Sequence, residues 1–350
     1  HALAKGVTPE ALIAELYGRE TGTSAGRGGS MHLFAPEIGL MGTSGIVGPC
    51  ILQACGGGYS FKLMGKANVS LAFFGDGAVN NGAFHEGLNQ ASVWNLPCIF
   101  IVENNQFATE VPFEYSSGNP DVGDRGPAYG MPSFIVDGND VVEIYKVAGE
   151  AINRARDGGG PTLIECKTYR TRAHAEGMGD FTYRTKEDVK EWKAKCPIDR
   201  FRSYIKESHP ELESQVDAID KEVADLVEQS HQAAENAAFP SPADANTFIY
   251  GSNVKSTIDN GEPLTSGLPD LGKDNPSRQI TYMQATHEAL SEEMAKNDTI
   301  FVMGEGIGSR GGNFNTTAGL YDIYGADRLC DTPICERGFV GLGGGAAMTG

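Results

Sequence analysis

An α/β fold, a doubly wound parallel sheet with helices on both faces, is predicted on three observations. Short runs of β-branched, aromatic and small apolar residues recur at 69–74, 96–102, 133–136 and 161–166 and read as strands buried on both faces. The first three run into turn formers: Gly75-Asp76-Gly77, Glu103-Asn104-Asn105 and Asp137-Gly138. Stretches of helical period lie between them, so strand, crossover helix and strand succeed one another as right-handed βαβ units.

The first helix opens at Thr8-Pro9-Glu10: a capping hydroxyl, proline at the first helical position and an acid near the positive end of the dipole. Ala11, Leu12, Ile13, Leu16 and Tyr17 give it one apolar face. Two glycine-rich segments follow, 26–34 and 42–48, which on composition are either flexible connectors or backbone brought close to a ligand. Residues 78–94 carry Phe84, Leu88 and Ala91 at helical spacing and predict the crossover helix. The stretch 106–132 lacks periodicity and predicts a long loop, which in a compact domain usually carries function. An amphipathic helix is expected over 141–156, and a second loop, 168–184, again follows a strand end. Thr185 caps a helix start, and 210–238 reads as a long acidic amphipathic helix whose charged face is either solvated or a partner surface. Residues 240–277, rich in Pro, Gly, Asp and Ser, are placed as a linker. A second pattern starts at Arg278: helix 279–295, strand 299–303 ending in Gly304-Glu305-Gly306, a short helix over 317–324, and an edge of strand at 328–330 leading to Asp331-Thr-Pro-Ile-Cys-Glu336. The division expected is thus 1–239, linker 240–277 and 278–350.

With 350 residues, 40% of them apolar, the chain is long enough for two or more domains with real cores. The net charge of −18 argues against nucleic acid and anionic membrane surfaces as partners. No run of 18 apolar residues suits a membrane span. Seven scattered cysteines without a C-x-x-C pair read as small buried hydrophobes in a reducing compartment. A start at His1 and a stop at Gly350, inside a Gly/Ala-rich helix, read as an internal fragment whose targeting segment would be missing.

In a βαβ unit the carboxyl ends of both strands meet at the rim of the sheet, where open α/β folds bind ligands. Asp76 and Asn105 therefore stand on neighbouring strand ends. A carboxylate and an amide oxygen there are hard ligands of the kind magnesium takes, with phosphate oxygens completing the octahedron. The helix opening beside Gly77 offers free N–H groups to an anion. Each piece alone is a common turn; their joint occurrence is specific.

The stretch from Gly75 to Asn105, GDGAVNNGAFHEGLNQASVWNLPCIFIVENN, resembles the thiamine-diphosphate signature. Its wording is similar to the α subunit of the decarboxylating component of 2-oxo acid dehydrogenase complexes. The resemblance implies that Asp76 and Asn105 bind magnesium through their side chains and Phe107 through its backbone carbonyl, and that Gly77 and Ala78 contact the diphosphate. In the Gly45-Ile-Val-Gly48 segment it makes Gly45 and Val47 contacts of the aminopyrimidine ring, with His32 of the G-G-S-M-H segment near the site. His174, in Tyr169-Arg-Thr-Arg-Ala-His174, aligns with an active-site histidine that would steady charge or move protons as a lipoyl sulfur reacts. Ala175 stands where mitochondrial members carry a phosphorylatable serine, so that inhibitory modification is not expected there.

The Gly-Glu305 and Asp-Thr-Pro-Ile-Cys-Glu336 segments resemble the start of the family's β subunit, which implies a fused α and β chain. By the same resemblance Glu336 serves the aminopyrimidine nitrogen, and Glu305 is a second carboxylate near the site. A cofactor lying between the two segments, a junction that in the family forms across subunits, implies a homodimer or larger. The implied partners are a small 2-oxo acid and a lipoyl-bearing dihydrolipoyl acyltransferase. The implied compartment is the bacterial cytoplasm or the mitochondrial matrix. Gln106-Phe107-Ala108-Thr109 departs from the family's usual Gly-Tyr-Gly, which leaves pyruvate, branched-chain 2-oxo acids and acetoin open as substrates. The rival reading is an NAD-dependent oxidoreductase. Gly341-Leu-Gly-Gly-Gly-Ala346 fits G-x-G-x-x-A, yet no convincing strand directly precedes it, and close helix packing is the alternative use.

Overall fold

The computed structural model describes residues 1–177, 180, 181, 183–247, 278–333 and 335–349. The predicted linker lies outside them from residue 248 onward. The four expected strands form one parallel sheet: β1 Ser70–Gly75, β2 Cys98–Asn104, β3 Ser133–Asp137 and β4 Thr162–Lys167, in the order β1-β2-β4-β3. Strand β2 shows why both faces are covered. Phe100 and Val102 enter a core with Ile51, Phe84 and Leu88, while Ile99 packs with Val136, Ala151 and Ile164 on the other face. The helices supplying these residues are α2 Pro49–Leu63 and α3 Gly82–Val93 on the first face and α4 Val141–Arg156 on the second.

Helix α1, Pro9–Leu16, starts as its sequence requires, with the Thr8 side chain accepting the Ala11 N–H. Helices α5 Lys186–Lys193, α6 Pro197–Ser208 and α7 Glu213–Asn236 follow β4, and α5 carries a capping box between Thr185 and Asp188. Helix α7 buries Ser230 and Ala234, and Tyr17 meets His231 at 2.7 Å across the α1–α7 packing. Its Ile219, Val223, Leu226 and Val227 stay exposed. Residues 281–347 add α8 Tyr282–Lys296, β5 Val302–Gly304, α9 Leu320–Tyr324, β6 Leu329–Asp331 and α10 Glu336–Ala347. Strands β5 and β6 pair in parallel over Met294, Leu320 and Leu329.

The strand expected over 299–303 is confined to Val302–Gly304 and the helix expected over 317–324 to Leu320–Tyr324, and two elements nearer the rim also differ from expectation. The helix predicted over 78–94 begins only at Gly82; before it Asp76–Asn80 is a 3₁₀ turn, and the extended Asn81 caps α3 by accepting the Ala83 N–H at 3.0 Å. The stretch 106–132 is not structureless. It holds a two-residue ladder pairing Phe107–Ala108 with Val111–Pro112, a helical turn at Phe113–Ser116 and a 3₁₀ helix at Gly123–Tyr129. Side-chain bonds impose this order, two of them to distant segments: Glu165 accepts the Gly123 N–H at 2.8 Å, and Arg125 donates to Val79 O and, within the stretch, to Ser117 Oγ, each at 2.7 Å.

The Gly341 motif lies inside α10 and is a packing device. A Cβ at Gly345 would stand 2.2 Å from Gln53 O, and one at Gly56 of α2 would stand 2.1 Å from Leu342 O. The backbones touch because neither carries a side chain. Gly56→Ala is therefore expected to lower the melting temperature by several degrees, by forcing α10 off α2. Gly344→Ala, which meets open space, should be neutral or slightly stabilising. Thermal unfolding of the two variants side by side checks the contrast. The seven cysteines are free, and no helix among the described residues is long and apolar enough to cross a membrane.

Candidate active site

The register sets the rim. Gly75 pairs with Glu103 and Asn104 with Lys167, so the chain leaves β1, β2 and β4 at one edge. Asp76 is fully buried there, and its Oδ1 accepts the Asn105 N–H at 3.0 Å. Its Oδ2 is equally buried and has no hydrogen-bond partner. Burial pushes the Asp76 carboxyl up from its ordinary value; the Asp76 and Asn105 N–H groups and the Arg170 charge pull it back, and the Glu165 charge adds to the rise. A buried carboxylate oxygen without a donor is costly unless a cation meets it, so this donor suits a hard metal ion. No three His, Cys, Asp or Glu side chains gather into a metal group among the described residues. A cation here would thus rest on Asp76 with amide and carbonyl oxygens.

Asn105 lies against this carboxylate and carries Phe107 with it. Asn105 Oδ1 accepts the Phe107 N–H at 3.2 Å, and Asn105 O accepts the Arg170 N–H at 3.3 Å. The Phe107 ring is held edge-on by Tyr169 and Tyr183 at 5.5 and 5.2 Å, with the Arg170 guanidinium 5.6 Å from its centre. A Cβ at Gly77 would stand 2.9 Å from Ala108 Cβ, so the ladder closes over the turn only because residue 77 is glycine. Ala78 is buried beside it.

The second glycine-rich segment reaches the start of α3, a few residues beyond Asp76. Val47 O accepts from Asn81 Nδ2 at 3.3 Å, which ties it to the start of α3. Ile46 and Val47 expose their side chains, and the Gly45 Cβ position lies 3.9 Å from His32 Nε2. The start of α10 docks there too, with Arg337 Nη1 donating to Asn81 Oδ1 at 3.3 Å. Glu336, the first residue of α10, and Glu305, in the turn after β5, are both exposed. They share a neighbour. Burial pushes the Cys335 thiol up, a Gln90 hydrogen bond opposes this, and the charges of Glu86, Glu305 and Glu336 add to the rise. Glu86 Oε2 is itself buried without a partner.

His174 is exposed and makes no hydrogen bond or ion pair among the described residues, so the structure does not join it to the other candidates. Among the described residues of its segment, the Arg184 side chain pairs with Asp180 at 2.6 Å and donates to Arg170 O. A cleft of about 370 Å³ between α4 and α6, lined by Asn139, Lys146, Arg200 and Tyr204, contains none of the candidate residues. Sequence reasoning missed Glu15, Glu86 and Glu165. Nothing in their local patterns marks them, because their surroundings come from distant segments.

The family model of the dehydrogenase E1 component matches residues 1–243, and that of the transketolase pyrimidine binding domain matches 278–350. Over 257 residues, 73% of this chain and 76% of the relative, the sequence is 42% identical to the alpha subunit of acetoin:2,6-dichlorophenolindophenol oxidoreductase of Bacillus subtilis. The corresponding subunit of Cupriavidus necator is 41% identical over 251 residues, 71% of this chain and 75% of the relative. Pyruvate dehydrogenase E1 component subunit alpha-3, chloroplastic, of Oryza sativa is 40% identical over 249 residues, 69% of this chain and 58% of the relative. With a match over more than two thirds of its length, this chain belongs to the dehydrogenase E1 components, the thiamine-diphosphate-dependent 2-oxo acid dehydrogenase family.

Proposed function

We propose that this protein decarboxylates a 2-oxo acid with thiamine diphosphate and magnesium and passes the acyl group to the lipoyl arm of a partner acyltransferase. The observation that carries it is the partnerless Oδ2 of buried Asp76, inside a stretch worded like the family's cofactor signature. Acetoin as substrate is the second reading, favoured by the two acetoin relatives at 42% and 41% identity.

When bound, thiamine diphosphate supplies a nucleophilic carbon and an electron sink for the departing carboxyl group. In this reading Asp76 and Asn105 hold magnesium by side-chain oxygens and Phe107 by its carbonyl. The backbone of Gly77 and Ala78 receives the diphosphate, where the N–H groups of the 3₁₀ turn suit an anion. Gly45 and Val47 face the aminopyrimidine ring, and Glu336 holds a proton at its ring nitrogen. Glu305 is the second carboxylate beside it, and His174 steadies charge during acyl transfer. The chain divides into 1–239, a linker 240–277 and 278–350, an α-like part fused to the start of a β-like part. A site completed by the second part fits a homodimer or larger assembly, in the bacterial cytoplasm or the mitochondrial matrix.

A ferricyanide-coupled panel of pyruvate, branched-chain 2-oxo acids and acetoin on the full-length protein tests the reading. Turnover of one 2-oxo acid that requires thiamine diphosphate and magnesium is expected, with no requirement for NAD. Turnover that depends on NAD alone would return the reading to a nicotinamide enzyme.

A further inference from the structure

Glu15, in the last turn of α1, is fully buried. Its Oε2 accepts the N–H groups of Ser24 at 2.7 Å and Gly26 at 3.0 Å, and its Oε1 those of Gly28 at 2.6 Å and Gly29 at 3.1 Å. One carboxylate thus gathers four consecutive-turn donors, and the loop wraps it like the backbone nests that hold anions. The wrap needs glycine: a Cβ at Gly22 would fall 2.4 Å from Glu15 Oε2, and one at Gly28 would fall 2.0 Å from His32 O.

The gathered loop continues into the cofactor site. Ser24 Oγ donates to His32 O at 3.1 Å. Thr43 then clamps the two glycine-rich segments together: its Oγ1 donates to Met31 O at 2.8 Å and accepts the Leu33 N–H at 2.9 Å, while its own N–H donates to Leu33 O at 3.0 Å. Two residues later stands Gly45, whose Cβ position lies 3.2 Å from Met31 Sδ and 3.9 Å from His32 Nε2.

We infer that Glu15 is a positioning residue for the pyrimidine end of the cofactor, acting through the 22–32 loop and Thr43 on Gly45 and Val47. The inference rests on the thiamine-diphosphate reading above. It separates two halves of one site: Glu15 sets the segment that meets the ring, whereas the diphosphate rim at Asp76 is built on β1 and β2.

Isothermal titration of the full-length protein with magnesium thiamine diphosphate, and separately with magnesium and inorganic diphosphate, tests it. Glu15→Gln leaves one oxygen and an amide that faces two of the N–H groups donor to donor. It should weaken thiamine diphosphate binding about tenfold, while diphosphate binding moves less than about twofold. Glu15→Asp should fall between it and the wild type. Thr43→Val, which cuts the path downstream of the carboxylate and keeps the side-chain shape, should show the same selectivity, and it decides the matter if Glu15→Gln does not fold. Equal loss of both ligands, or no loss of either, would overturn the inference. A wild type that binds neither ligand would overturn the cofactor reading and the inference with it, which is a different outcome from equal behaviour of wild type and variants.

Discussion

Asp76→Asn should raise the melting temperature of the ligand-free protein and abolish the further rise that magnesium thiamine diphosphate gives the wild type. The two effects have opposite signs because the same burial causes both. With no ligand, the ionised carboxylate sits in a site where one oxygen has no partner, and its pKa is raised. The neutral amide removes the buried charge, the larger part of that cost, and keeps an acceptor for the Asn105 N–H. With ligand, the wild type gains about 3 kcal/mol at a hundredfold excess over Kd, and the variant, without the charge, gains little. The pH dependence follows from the sign of the shift. The folded-state pKa lies above the unfolded one, so the contribution of Asp76 to ligand-free stability is present at low pH and is lost as pH rises through the folded value. Magnesium requires the carboxylate, so its affinity runs the other way and weakens as pH falls through that value. Thermal scans from acid to neutral pH, with and without ligand, measure both. A variant that is less stable than wild type yet keeps the ligand shift would refute the assignment.

Glu165→Ala should cost about 3–5 kcal/mol of stability in chemical denaturation. Glu165 is fully buried in β4, where Oε1 accepts Asn104 Nδ2 at 2.6 Å and Oε2 accepts the Gly123 N–H at 2.8 Å. Truncation strands both donors. Glu165→Gln keeps the shape and should cost about half as much, since one acceptor survives. The damage should reach the site as well: Asn104 Oδ1 accepts the N–H of Gln106, whose φ of 73° is positive, and that bond holds the turn between Asn105 and Phe107. Cofactor affinity should therefore fall along with stability. A loss under about 1 kcal/mol would mean the loop at 123–129 is held by something else.

Much of the fold was legible because its causes are local. The four strands follow from apolar runs ending in turn formers, and the helix starts at Thr8 and Thr185 follow from capping chemistry. The neighbouring places of Asp76 and Asn105 follow from the parallel pairing of the two strands of a βαβ unit. The errors fell where a distant group decided. The break before α3 depends on Asn81, which caps one helix and also binds Val47 and Arg337. The order within 106–132 depends on two bonds to distant segments, from Arg125 to Val79 O and from the Gly123 N–H to Glu165.

By itself, then, the sequence determined the βαβ frame, the rim that carries Asp76, Asn105 and Phe107, and the family wording around them, because periodicity, turn chemistry and strand handedness act over a few residues at a time. The tertiary structure alone decided which carboxylates are buried and what each one meets. Glu15 gathers four N–H groups, Glu165 pins a turn and Asp76 is left with an oxygen bare. The energy of a charge is set by whatever folds over it, and that is written in no local pattern.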